Sequence, residues 1–286
     1  MKNVSTKTAP DESLTAPRDN SSRLLKFIVD EAPASGSATE IADGVFWLRF
    51  DLPMKGLDHI NLWALKDGDG WVVVDTGIGN RASREIWEKH FVELMGGRPV
   101  NRVICTHLHP DHTGLAGWIC RKFGAPLLMT RGEYFLCRLL AADTGKEAPR
   151  EGITFYRKCG FTDEQIELYK LRFGGFGKAI SALPQGYDRL TDGELGQIGG
   201  REWRVIIGSG HSPEHACLYC SELNCALRVI SCCLILAPMC LSGQQNPKET
   251  PSKTGYLRAT NSKLNYLMMF SLALLMVSHF MARIGD

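Results

Sequence analysis

The chain is notable first for what it lacks. It has no excess of either charge: 33 Lys and Arg stand against 31 Asp and Glu, for a formal net charge of +2. That balance leaves no electrostatic footprint for nucleic acid or for an anionic membrane, and no run of like charges alters it. The opening stretch, MKNVSTKTAPDESLTAPRDNSSR, lacks the apolar core of a secretory signal, and its Asp11, Glu12 and Asp19 do not suit an organellar transit peptide. Residues 1–38, rich in Ser, Thr, Pro and Ala, read as a disordered polar tail. Without an export signal, the ten cysteines are expected as reduced thiols and the protein as cytoplasmic. Cys217-x-x-Cys220 has no second pair at zinc-finger spacing, so it reads as chance. FGGFG, at 173–177, lacks the strand-then-helix context of a nucleotide loop and reads as a turn. There is no internal repeat.

At 286 residues and 44% hydrophobic content, the chain is long enough for a sizeable core. From about Ile41 the pattern becomes structured. GVFWLRF and INLWALKDGDGWVVVDTG read as strands, the latter pair joined by a turn at DGDG. RASREIWEKHFVELM places Trp87, Phe91, Leu94 and Met95 on one helical face. NRVIC reads as a strand, TGLAGWICRKFG as a helix closed by glycine, and PLLMT as a strand. Residues 132–180 are mainly helical, with Thr162 as N-cap of TDEQIELYKLRF, and a strand returns at REWRVIIGSG. Alternating strands and helices predict a layered α/β domain over residues 39–226.

The most informative stretch is THLHPDH, Thr106 to His112. His107 and His109 alternate at the end of the NRVIC strand, so both side chains can point one way. Asp111 and His112 follow in the turn before the next helix. Imidazoles and a carboxylate suit zinc, and also manganese or ferrous iron. Four ligand-type side chains so close together after an apolar strand argue for a metal site over incidental surface histidines.

THLHPDH resembles the His-x-His-x-Asp-His signature of the metallo-β-lactamase superfamily. VVVDTG resembles that family's preceding strand and loop, and GSGHSPEH its later glycine-histidine segment. The resemblance runs from about Ile41 to Asn224 with the motifs in family order. It implies an αββα sandwich with one or two zinc ions at the strand ends. His107, His109 and His211 would form a three-histidine site. Asp111 and His112 would begin a second site, with Asp111 also orienting the attacking water. Asp75 would brace the metal loop from behind the ligands. His215 and His59 read as structural. The implied function is hydrolysis of a small-molecule thioester, lactam, lactone or phosphoester, since bound zinc brings the pKa of water from about 15.7 towards 7.

After GHSPEH the family pattern breaks. An Asp bridging two metals, usually in SGD, and a final His are both missing. Six of the ten cysteines fall between Cys217 and Cys240, followed by a polar stretch and then the uncharged run Tyr266 to Ala282. Regrouping the codons so that each begins at the third base of an old one permits the family text, forcing a few of its residues and allowing the rest. Cys232 to Cys233 then forces leucine, Met239 to Cys240 valine, Met268 to Met269 aspartate and Met276 to Val277 glycine. Leu227 to Ser242 can encode a line beginning Ser-Gly-Asp, and the far end one containing His-Gly. Residues 227–286 are therefore expected to be an out-of-frame product. The competing reading of 266–282 is a membrane anchor near the lower length limit for a span, on a catalytically inactive interaction protein. Sequencing the gene around codons 224–232 is expected to show a frame interrupted relative to its parent. An uninterrupted frame, with tail peptides found by mass spectrometry, would refute this.

Overall fold

The computed structural model describes residues 31–54 and 57–227. The out-of-frame reading and the Tyr266 to Ala282 run lie outside the described residues. The first sheet has seven strands in sequence order. Strands β1 (Ser37–Ala42), β2 (Val45–Met54), β3 (Leu57–Asp67) and β4 (Gly70–Val74) form an antiparallel meander. Short connections permit only antiparallel neighbours. Strands β5 (Val100–Ile104), β6 (Leu127–Thr130) and β7 (Asp188–Leu190) then add in parallel, each after a helical crossover. Every residue of β4 is buried. This is why the text there is a continuous apolar run, WVVV, and not an alternation.

Helix α1 (Arg81–Glu93) starts where the Asn80 side chain accepts a hydrogen bond from Ser83 N. Trp87, Phe91 and Met95 are buried as expected, whereas Leu94 is only partly so and His90 completes the inner face. Trp87 Nε1 donates to Thr76 O at 2.8 Å, tying α1 to the loop after β4. The single turn α2 (Pro110–Thr113) leads into α3 (Ala116–Phe123), closed by Gly124 at φ 68°, a left-handed position that glycine adopts without strain. Helices α4 (Arg131–Ala142), α5 (Arg150–Lys158) and α6 (Asp163–Arg172) follow. Thr162 and Gln165 make the reciprocal bonds of a capping box. Phe173 to Gly177 ends α6 and enters a single 3-10 turn.

The second sheet is antiparallel, in the order β11-β10-β9-β8: β8 (Leu195–Ile198), β9 (Arg201–Gly208), β10 (His215–Cys220) and β11 (Cys225–Leu227). Trp203, Val205, Leu218 and Cys220 face the common core. The sheets meet at β6 with β10 and at β3 with β8, while α3 and α4 pack on the first sheet. The structure is thus the mixed α/β sandwich expected from the sequence. Cys217 and Cys220 stand three apart on β10 and so point to opposite faces, which excludes joint metal binding along that strand. No described cysteine is in a disulfide. Among the described residues no helix is long and apolar enough to cross a membrane.

Gly114, just past the histidine loop, lies against the neighbouring backbone. A Cβ there would stand 2.5 Å from the carbonyl oxygens of Gly77 and Pro110. Gly114→Ala is expected to cost about 1–3 kcal/mol, read as a lower urea midpoint at unchanged slope. An unchanged midpoint would show that the two backbones separate freely.

Candidate metal centre

The site is built where β4 and β5 end side by side. Asp75 follows β4 with φ 58°, the left-handed region that Asp tolerates better than most residues. Its backbone N–H donates to Ile104 O at 2.8 Å. Its fully buried carboxylate accepts from Thr106 N and from Thr106 Oγ1, each at 2.7 Å, and from His112 Nδ1 at 2.8 Å. Since the Thr106 hydroxyl spends its proton on Asp75, it can only accept from His107 Nδ1, 3.0 Å away. The His107 proton is thereby placed on Nδ1. Its Nε2 lone pair is left facing outward.

That Nε2 lies 3.0 Å from His109 Nδ1 and 3.2 Å from His211 Nε2. The candidate ligand atoms of all three residues lie within 4.8 Å of one another. Three imidazole nitrogens on a tetrahedral zinc, each at about 2.0–2.1 Å, would stand about 3.3–3.4 Å apart. The two separations from His107 Nε2 are close to that, so the donor set suits a zinc-sized cation. Burial, reinforced by the neighbouring imidazoles, holds His107 well below its usual pKa and lowers His109 to about 3. Both are therefore neutral and able to offer lone pairs at neutral pH.

His112 behaves in the opposite way. Burial disfavours its charge, yet Asp111 and Asp75 outweigh this and raise it to about 10. Burial likewise opposes ionisation of Asp111, but His112 overcomes it and Asp111 falls to about 2. Asp111 Oδ2 and His112 Nε2 are 3.4 Å apart. The five residues read as metal ligands thus fall together. His107, His109 and His211 share one point, Asp111 and His112 pair beside it, and the His107 and His112 rings are 3.9 Å apart. His215 is buried at the start of β10, with its ring 4.9 Å from that of His107 and its Nδ1 3.6 Å from Cys217 Sγ. His59, on β3, pairs with Asp58.

The loop carrying His211 joins β9 to β10, and Ala216 N donates to Thr106 O at 2.9 Å, linking it to the first histidine segment. One residue here has no counterpart in the sequence reading. Glu133, in the first turn of α4, is fully buried and bonds both segments. In the sequence it reads as an ordinary acidic residue near a helix start.

A two-sheet sandwich with a histidine cluster at its strand ends defines the class of protein. The model of the metallo-beta-lactamase superfamily matches residues 56–227, and the chain belongs to that superfamily. A solved beta-lactamase domain protein from Burkholderia ambifaria is 38% identical, with a TM-score of 0.60, over 70% of this chain and 58% of its own. A metallo-beta-lactamase family protein from Thermus thermophilus is 28% identical, with a TM-score of 0.54, over 66% of this chain and 59% of its own. The human acyl-coenzyme A thioesterase MBLAC2 is 25% identical over 63% of this chain. The chain spans 60% of the length of that human relative.

The charge states have a measurable consequence. His109 has a folded pKa of about 3, below its ordinary 6.5, so the unfolded chain binds the extra proton between those values. Metal-free protein should lose stability as pH falls from 6.5 towards 3, by up to about 1.4 kcal/mol per pH unit for each such group. His112, raised to about 10, contributes stability that is complete below 6.5 and lost as pH rises through 10. Urea midpoints of chelator-treated protein should therefore fall on both sides of neutrality, and His109→Asn should flatten the acid arm. An acid arm unaffected by that substitution would contradict the assignment.

Proposed function

We propose that the protein is a metal-dependent hydrolase, with zinc the ion its donor set fits best and manganese or ferrous iron as alternatives. The convergence of His107 Nε2, His109 Nδ1 and His211 Nε2 carries this reading. A zinc ion held there would supply Lewis acidity, both to acidify a water molecule and to polarise the substrate oxygen. The chain's own groups do the rest. Asp111, kept ionised by His112, would accept a hydrogen bond from the attacking water and orient it. Asp75 holds His112 and, through Thr106, fixes which nitrogen of His107 is bare. Asp111 and His112 begin a second metal position, but among the described residues only the three-histidine group gathers as a candidate site. One tightly held ion per chain is therefore expected. The substrate is a small molecule, and a thioester is the bond class to try first, because the human relative is an acyl-coenzyme A thioesterase. A cytoplasmic setting is part of the same proposal.

Purified protein should carry close to one zinc by elemental analysis and hydrolyse one member of a panel of acyl-coenzyme A thioesters, lactams, lactones and phosphoesters. Chelation should abolish turnover and zinc should restore it. His107→Ala, His109→Ala and His211→Ala should each lose the ion and fall to background. Full metal content in His211→Ala, or turnover that resists chelation, would overturn the reading.

A further inference from the structure

Three imidazoles meet at one point only if two distant stretches of chain are held at a set separation. His107 and His211 are 104 positions apart in sequence, and they sit on loops leaving different sheets. The Ala216 to Thr106 backbone bond is one tie between these stretches. The others pass through the junction of β6 and α4. Glu133 Oε2 accepts from Leu108 N at 2.9 Å, and Leu108 is the residue between His107 and His109. Glu133 Oε1 accepts from Glu214 N at 2.8 Å, three residues past His211. The grip is returned: Glu214 Oε2 accepts from Gly132 N at 2.7 Å, and Glu214 O accepts from Thr130 Oγ1 at 2.8 Å. One buried carboxylate thus touches the backbone of both ligand-bearing segments, and a second carboxylate closes the ring.

We propose that Glu133 is a positioning residue of the metal centre, the clasp that sets the separation of the His107–His109 segment from the His211 loop. The proposal rests on the metal reading of the three imidazoles. Glu133 is not among the residues whose ligand atoms converge; its two oxygens are turned to backbone N–H groups. The chemistry requires a carboxylate. Two backbone donors reach this side chain from opposite segments, one on each oxygen, and a carboxylate accepts both. A carboxamide of the same shape can accept from one and must turn its own N–H towards the other, leaving a buried donor without an acceptor. Shape is kept in Glu133→Gln and one tie is lost, so the two segments are free to drift while the core around them remains packed. A site displaced by a few tenths of an ångström still folds but binds its ion less well, since groups that orient metal ligands govern affinity nearly as strongly as the ligands do.

The test uses the full chain, with zinc alone and cobalt(II) alone as probes. Zinc affinity is read by competition with a chromophoric chelator, site geometry by the visible absorption of the cobalt protein, and folding by circular dichroism and the thermal midpoint of the metal-free form. Glu133→Gln is expected to raise the zinc Kd by about ten- to a hundredfold and to shift the cobalt absorption, in a protein that still folds. Glu214→Ala, which removes the bond from Gly132 N while leaving Glu133 in place, should weaken zinc binding in the same direction by less. If Glu133 only supports the fold, folded Glu133→Gln will bind zinc as the parent does with the same cobalt spectrum, and the proposal is wrong. Should that variant fail to fold, Glu214→Ala decides, and parental zinc affinity there refutes the clasp. His211→Ala run in parallel separates the two levels. If it binds zinc as tightly as the parent, the metal reading itself fails. If it loses zinc while Glu133→Gln keeps it, only the clasp fails.

Discussion

The centre depends on the carboxylate of Asp75. It stands at the end of a fully buried strand, in a backbone conformation that costs about 1–3 kcal/mol in most side chains, and it makes three side-chain hydrogen bonds there. Two of these go to Thr106 and one to His112, so a single group closes the turn between the two histidine-bearing positions. The bond from Thr106 Oγ1 has a further effect. It consumes the only hydroxyl proton, which obliges His107 to carry its own proton on Nδ1 and to present Nε2 bare. Asp75 thus governs the chemistry of an imidazole it does not touch.

Burial and pairing divide the histidines into two kinds. His107 and His109 lose their charge to desolvation, an energetic disadvantage in a metal-free fold that becomes useful once a cation takes up the lone pairs. His112 keeps a charge because two carboxylates surround it. It acts as the internal counter-ion of Asp111 and Asp75, and any second cation in this position would have to displace its proton. The two halves of the motif therefore differ in readiness although they are adjacent in sequence. The first is neutral and open, whereas the second is already neutralised from within.

Much of this was legible in the residues and some was not. The strand β4, the inner face of α1, the glycine stop of α3 and the Thr162 cap follow from local periodicity and hydrogen-bonding habit, which act over a few residues. The density of ligand-type side chains in THLHPDH and the recurrence of His in GSGHSPEH marked the candidate ligands. Leu94 was placed on the inner face by periodicity, yet it caps α1 and is only partly buried, while His90 packs inward. Glu133 was invisible because its partners are backbone N–H groups 25 and 81 positions away. Backbone donors leave no trace in side-chain identity, so a carboxylate that organises them looks like any acid near a helix start.

The supports of the cluster all lie ahead of the C-terminal stretch in which the family pattern is lost. Hydrogen bonds that shape the three-imidazole cluster begin at Asp75 and end at Ala216: the Asp75 set, the Glu133 and Glu214 clasp, and the tie from Ala216 to Thr106. Each partner in them precedes β11, and so precedes the point at which the family pattern breaks off. The geometry of the three-imidazole cluster is therefore specified by chain that matches the family model. The resemblance looks to later residues for an Asp that bridges the two positions and for a final His at the second. A change of reading frame near residue 227 would thus act on the two positions unequally. It would leave the convergence of His107, His109 and His211 with all its hydrogen-bonded supports, and it would withhold from Asp111 and His112 the partners that could draw a second ion away from their mutual pairing.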